Sequence, residues 1–326
     1  MRLDSLAPPA TSPARLLLLF FDGVGLAPAG PRNPLALLPT PAIRDLLGGP
    51  LTVEQLQRRP GLCLRALDAT LGVPGLPQSA TGQTSLYTGV NAARKLGHHV
   101  AAFPGPRLQR ILARASLFRA LQRRGHAFTL ANAYAPSYAE LVQRRRLRWP
   151  ASAWALWAGG GRLRGAAELE RGEAVTWDVV GDLWGAERAL STPEQAGRDL
   201  AALAAAHRLT LFESHLTDLA GHGRGPVGPA EALRRIDGLL AGAVANLTPD
   251  VTLAVVSDHG NLEAGEHRLH TRNPVPLLVF GRHAANFRRV RSITGLVPAV
   301  LRTLDGGATP FEDRSDGVPG DGRADR

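Results

Sequence analysis

Along this chain, short and nearly continuous apolar runs alternate with longer stretches of helical period. The runs fall at 16–21, 62–67, 127–132, 208–213, 251–256 and 275–280, and such runs mark strands buried on both faces. Helical patterns occupy 80–93, 107–124, 194–206, 229–246 and 292–304. This alternation predicts an α/β fold, a three-layer sandwich whose mostly parallel central sheet is covered by helices on both faces.

The stretch 136–193 breaks the rhythm. It holds all five tryptophans (Trp149, Trp154, Trp157, Trp177 and Trp184), the Arg144-Arg145-Arg146 run and the Gly159-Gly160-Gly161 triplet. It reads as a small inserted lobe with its own apolar cluster, lying as a cap over one end of the sheet. The core is then 1–135 plus 194–305. Residues 1–14 read as a loose lead-in and 306–326 as a disordered tail.

Composition narrows the classes. The 326 residues are 44% hydrophobic and 20% charged, a soluble globular balance. No apolar run approaches the ~18–20 residues of a membrane span, and Leu16–Phe21 is too short for a secretory leader, so a cytoplasmic protein without membrane contact is expected. A single cysteine, Cys63, excludes a disulfide scaffold or a cysteine zinc cluster. Lys95 is the sole lysine, and no Gly-Lys-Ser/Thr occurs, which excludes a P-loop.

Charge is localised. Between Arg107 and Arg171 stand 13 arginines against Glu140, Glu168 and Glu170, so this segment accounts for the entire net charge of +10. A local basic field attracts anions. Its helices lack the aromatic interleaving of base-stacking surfaces, which favours a small anionic substrate over nucleic acid.

In open α/β sheets, ligands bind beyond the carboxyl ends of the strands. Asp22-Gly23 follows the first run, and Glu213-Ser214-His215, Asp218 and His222 follow or close the fourth. Ser257-Asp258-His259-Gly260 follows the fifth, and His270 stands just before the sixth. Singly, such residues are turns or ordinary surface groups. Together, Asp22, Asp218, His222, Asp258, His259 and His270 are enough for two divalent metals of the zinc or manganese type, with magnesium admissible. The segment Pro77–Gly89 enters a helix at Ser79, where the helix dipole favours an alkoxide and a bound phosphate. Ser79 as a mere N-cap is the alternative, and spacing alone leaves Ser79, Thr81 and Thr84 open as nucleophiles.

These motifs resemble the alkaline phosphatase superfamily, and within it the metalloenzyme branch that holds cofactor-independent phosphoglycerate mutase and phosphopentomutase. Asp22-Gly23-Val24-Gly25 is similar to that branch's opening motif. Ser257-Asp258-His259-Gly260-Asn261-Leu262-Glu263 resembles its Asp-His-Gly-Asn motif, and His270-Thr271-Arg272-Asn273-Pro274-Val275-Pro276 its His-Thr-x-Asn-Pro-Val-Pro motif. Asp218-x3-His222 is similar to its Asp-x3-His. The matches run from about 16 to 94 and from about 208 to 304.

The resemblance implies an alkaline phosphatase-like core and selects Ser79 as the nucleophile, counting back from Gly89 and forward to Gly82. It implies one metal on Asp218, His222 and His270, and a second on Asp22, Asp258, His259 and the Ser79 oxygen. Gln83 stands where the mutases have a histidine, and the stretch between the half-sites is too short for the large domain of phosphoglycerate mutase. Arg94, Lys95 and Gln83 are candidate substrate contacts. The function implied is a phosphatase or phosphodiesterase working through a phosphoserine. A sugar-phosphate mutase is second, and a metal-binding or nucleic-acid-docking homologue without turnover third. A sulfatase lacks its Cys-x-Pro-x-Arg context here.

Overall fold

The computed structural model describes residues 13–184 and 190–307. The lead-in and the tail lie outside the described residues, apart from 13–14 and 306–307. Seven strands form one sheet: β1 Arg15–Phe21, β2 Gln57–Arg59, β3 Leu62–Leu67, β4 Phe128–Leu130, β5 Leu209–Ser214, β6 Val251–Val256 and β7 Val275–Phe280, in the order β2-β3-β7-β6-β1-β5-β4. Strands β6, β1, β5 and β4 are parallel, whereas β7, β3 and β2 join by antiparallel pairings. The parallel strands therefore run from the middle of the sheet out to the β4 edge, and the other side is an antiparallel extension ending at β2.

Strand β1 shows why three layers form. Leu16, Leu18 and Phe20 point into one apolar cluster, with Leu86, Tyr87, Leu112, Phe118 and Val300. Leu17, Leu19 and Phe21 point into the other, with Leu200, Leu233 and Leu239. Alternate residues face opposite sides of a strand, and full burial of each such side chain is worth about 1.5–3 kcal/mol. Helices Ser79–Thr88, Pro106–Ala115, Leu117–Gln122, Ala151–Ala158 and Leu296–Leu304 contribute to the first layer. Helices Pro193–Ala206 and Pro229–Asn246 build the second.

Several boundaries differ from the periodicity. The pattern 80–93 is two helices, because Gly89 adopts φ 71° and closes the first before Ala92–Leu96 begins. The pattern 107–124 is split by Ser116, which ends one helix and caps the next by accepting from Arg119 N at 3.1 Å. The pattern 292–304 opens with a 3-10 turn at Ile293–Gly295. Strand β2 was not expected: Gln57-Arg58-Arg59 is polar and pairs only with β3, so no apolar alternation announces it.

In the stretch 136–193, Trp149 and Trp157 meet edge to face at 5.0 Å, and Trp154 and Trp157 at 5.5 Å, with Tyr134 and Tyr138 against Trp149. Trp154 also packs on the first apolar layer and Trp177 on the second. Isolated bridges Asn132–Val175 and Ala133–Arg164 pin the stretch to the chain leaving β4.

Candidate metal centre

Strands β1, β5 and β6 end at one edge of the sheet, and antiparallel β7 begins at that same edge, with Val256 beside Leu277. That reversal brings His270, which precedes its strand, level with residues that follow theirs. Asp22 leaves β1, Asp258 and His259 leave β6, and Asp218 and His222 lie in and just after the short helix Leu216–Gly221 beyond β5. Ser79 arrives from the first turn of helix Ser79–Thr88, above the same edge.

Two groups of ligand atoms result, each within 4.8 Å of one another: Asp218, His222 and His270, and Asp22, Asp218 and His259. In the first, His222 Nε2 lies 3.1 Å from His270 Nε2, and these atoms lie 3.4 and 3.6 Å from Asp218 Oδ1. His222 Nδ1 bonds Arg268 O at 2.7 Å and His270 Nδ1 bonds Pro77 O at 2.8 Å. A carbonyl only accepts, so both Nδ1 atoms carry the proton and both Nε2 lone pairs converge. Facing lone pairs at this separation repel unless a cation or shared proton lies between them.

In the second group, Ser79 Oγ is 3.0 Å from His259 Nε2, which is 3.2 Å from Asp22 Oδ1 and 3.6 Å from Asp258 Oδ2. Asp22 Oδ2 takes Gln83 Nε2 at 3.0 Å and His215 Nδ1 at 3.1 Å. Both oxygens of Asp258 are buried without a hydrogen-bond partner, and Asp22 Oδ1 meets only the His259 ring. Buried carboxylate oxygens left so are costly unless a cation compensates.

The electrostatics record how closely these charges crowd. Burial would raise Asp22, but the hydrogen bonds and charges of His215 and His259 outweigh it and hold the carboxyl well below the usual range. Burial and the Asp22 charge push Asp258 well above it. Burial would lower His259, yet Asp258 and Asp22 carry it up to about 10. Burial and the charge of His259 keep His270 low, hence neutral. The donor set of imidazoles and partnerless carboxylates fits divalent cations. Asp218 belongs to both groups, whereas the sequence placed it in the first alone. Asp258 stands at the margin of the second.

The loops are held by a residue that the sequence reading passed over. Glu263 accepts from Gly25 N and Asn261 N, each at 2.9 Å, from Asn273 Nδ2 at 3.0 Å and from the Thr271 hydroxyl. Three motifs thus meet on one carboxylate. Gly23, at φ 72°, sits so close to Asp218 that a Cβ would fall 2.7 Å from Oδ1. His215 is a second omission. It lines the cavity, bridges Asp22 to Glu213, and is raised to about 9, the Asp22 hydrogen bond and the Glu213 charge prevailing over burial. Its only sequence signal was its place after β5.

A cavity of about 710 Å3 opens over Asp22, Ser79, Gln83 and Asp218, walled by residues of the 136–193 stretch. Arg94 and Lys95 do not line it. Both are exposed on helix Ala92–Leu96, and Lys95 faces a separate cavity of about 460 Å3 with Arg107, Arg110 and Arg114. Arg144, Arg145 and Arg146 are exposed and also stand outside the wall, although the flanking Leu141 and Leu147 are part of it.

Known proteins resemble this chain in sequence and in fold. Residues 181–302 match the Metalloenzyme superfamily model. The metalloenzyme match contains Asp218, His222, Asp258, His259 and His270, while Asp22, Ser79 and Gln83 join it through the fold. A phosphopentomutase from Chromohalobacter salexigens is 37% identical over 117 residues, 35% of this chain and 25% of that protein. A 2,3-bisphosphoglycerate-independent phosphoglycerate mutase from Ruegeria pomeroyi is 29% identical over 123 residues, 35% of this chain and 24% of that protein. The likeness therefore spans about a quarter of these relatives' length.

In structure, the PH0037 protein from Pyrococcus horikoshii aligns over 92% of this chain and 99% of its own, with a TM-score of 0.56 at 15% identity. The alkaline phosphatase from the Antarctic bacterium TAB5 aligns over 90% and 98%, with a TM-score of 0.50 at 11% identity. These two show the fold alone. The resemblance to the metalloenzyme branch of the alkaline phosphatase superfamily is borne out, as is the alkaline phosphatase-like α/β fold. Among the described residues, no helix is long and apolar enough to cross a membrane.

Proposed function

We propose that this protein is a two-metal phosphoryl-transfer enzyme that hydrolyses a small phosphate ester through a phosphoserine at Ser79. The observation that carries the reading is the Ser79 hydroxyl, 3.0 Å from His259 Nε2 at the first turn of a helix and beside the two ligand groups. Asp218, His222 and His270 hold one cation. Asp22, Asp258, His259 and Ser79 hold the other, with Asp218 between them; zinc or manganese suits this mixed nitrogen and oxygen set. When bound, such cations neutralise charge on the phosphoryl oxygens and lower the pKa of the serine hydroxyl.

Ser79 Oγ attacks phosphorus in line. A bond forms between Oγ and phosphorus, the bond from phosphorus to the alcohol oxygen breaks, and the alcohol departs with a proton. Water then cleaves the phosphoserine, releasing inorganic phosphate and restoring the hydroxyl. Gln83 and His215 fix the Asp22 carboxylate, and the 136–193 stretch acts as a cap that restricts water.

A phosphomutase is the second reading, favoured by the 37% identity to a phosphopentomutase. There, a second hydroxyl of the substrate takes the phosphoryl group in place of water. One assay separates the two: metal-loaded protein on a panel of phosphate esters, with free phosphate and isomerised ester scored independently. Free phosphate from wild type and none from Ser79→Ala is expected. Isomerised product alone would transfer the assignment to the mutase, and neither product would leave a binding protein.

A further inference from the structure

The wall of the cavity over Ser79 is chemically one-sided. Among the described residues that line it, none is lysine or arginine, and Asp22, Glu213, His215 and Asp218 are its acids and imidazole. The remaining wall is dominated by Phe103, Tyr134, Tyr138, Leu141, Leu147 and Trp177.

Several polar atoms of this wall are engaged within the protein. Tyr138 donates its hydroxyl to Arg148 O at 2.7 Å, Tyr134 to Glu213 Oε1 at 3.5 Å, and the Trp184 indole to Ala133 O at 3.3 Å. Asn132 spends both ends on the Glu213 backbone, at 2.8 and 2.9 Å. Gln83 donates Nε2 to Asp22 Oδ2. Beyond the Ser137 hydroxyl and the Trp177 indole, what this wall offers a ligand away from the phosphoryl group is chiefly ring faces and apolar side chains. A polyhydroxylated ligand would lose water there without recovering hydrogen bonds, whereas an apolar one gains by burial. At about 710 Å3 the cavity exceeds what a phosphoryl group needs and lies within the range of small-molecule sites.

We infer that the substrate carries its phosphoryl group on an apolar or aromatic alcohol, whose hydrocarbon part occupies the wall formed by Phe103, Tyr134, Tyr138, Leu141, Leu147 and Trp177. The inference rests on the phosphoryl-transfer reading above and sharpens it: the cap selects by apolar surface, and its exposed arginines stand apart from selection.

A homologous series tests this on the full chain loaded with zinc or manganese. Phosphate release is followed for methyl, butyl, hexyl and octyl phosphate, with ribose 5-phosphate as the polar comparison. The expected result is kcat/KM rising roughly twofold to fourfold per methylene, with ribose 5-phosphate near the methyl ester. In Leu147→Ser and Trp177→Ala the octyl-to-methyl ratio should fall about tenfold. A flat series, or ribose 5-phosphate preferred over octyl phosphate, overturns the inference and leaves the proposed function standing.

Binding supplies a readout independent of turnover. Tryptophan fluorescence of Ser79→Ala is titrated with octyl phosphate and with inorganic phosphate, since Trp177 and Trp184 stand in the wall. Tighter binding of octyl phosphate, weakened in Leu147→Ser, supports the apolar site even if no ester is hydrolysed and the proposed function fails. Equal affinity for the two probes overturns it.

Discussion

His222 and His270 face each other nitrogen to nitrogen, their Nε2 atoms 3.1 Å apart while each Nδ1 bonds a backbone carbonyl. Those carbonyls, from Arg268 and Pro77, fix both tautomers, so the pair is set for a cation beside Asp218. Replacing His270 with Ala should lower the bound metal from two equivalents to one, measured by elemental analysis after dialysis. Chelation should lower the Tm of wild type by more than that of the variant, because ligand binding at 100 times Kd adds about 2.7 kcal/mol. Equal metal content in the two proteins would refute the first site.

Ser79 is not a cap. Gln78 occupies the N-cap position of its helix, and the Ser79 hydroxyl points to His259 instead. Ser79→Ala should therefore cost about 0.5–1.5 kcal/mol through the lost contact with His259 and not through a lost cap. Turnover should fall at least a thousandfold, as removal of a nucleophile does. Near-normal phosphate release from the variant would return the nucleophile to Thr81 or Thr84.

The ligands were legible in sequence because each adjoins a strand end, and strands β1, β5, β6 and β7 are long apolar runs. Their grouping was less legible. That Asp218 faces both ligand groups depends on how helix Leu216–Gly221 crosses Gly23, where a glycine at φ 72° permits the approach. The direction of β7 left no periodic trace, yet it alone explains why a residue before a strand meets residues after three others. Strand β2 is polar, and Glu263 looked like a motif's trailing acid. Arg94 and Lys95, candidate substrate contacts by charge, are carried off the cavity on a separate helix after the turn at Gly89.

Glu263 offers a sharper test of that geometry than any ligand. As an outer partner of three ligand-bearing loops, it should matter nearly as much as the ligands themselves. Glu263→Gln keeps the shape but presents an amide to the Gly25 and Asn261 N–H donors. Metal affinity is expected to drop about 10- to 100-fold, read by competition with a chelating dye, while circular dichroism stays native. Unchanged affinity would show that the loops hold their places without it.

The Gly23 approach can be closed deliberately. In Gly23→Ala, the new Cβ would lie 2.7 Å from Asp218 Oδ1 and the backbone would keep a φ that alanine disfavours. Both metal groups share Asp218, so both should weaken, with total bound metal falling below one equivalent. Loss of a single equivalent would mean that Asp218 serves one group alone.

The last prediction concerns the clamp behind the cavity wall. Arg235, almost fully buried, bonds Asp182 through Nη1 and Nη2 at 2.7 Å and Glu231 through Nε at 2.7 Å, and donates to Asp178 O at 3.2 Å. It thus ties helix Pro229–Asn246 to the segment that carries Trp177 and Trp184 into the cavity wall. The guanidiniums of Arg234 and Arg235 hold Glu231 down at about 2 against an ordinary 4.5, and Arg235 holds Asp182 low as well. Carboxyls depressed by folding contribute stability above their unfolded pKa, and this contribution fades as pH falls toward the folded value. Arg235→Met should cost about 2–3 kcal/mol near neutrality, below the ~3–5 of a fully buried pair because both carboxylates are about a third exposed. Thermal melts of both proteins from pH 7 to pH 2 check the sign. The gap in Tm between wild type and variant should hold to about pH 4.5 and narrow below it, as Glu231 and Asp182 take up protons. A gap independent of pH would mean that Arg235 acts through packing of its apolar stem, and a gap widening in acid would contradict the pairing outright.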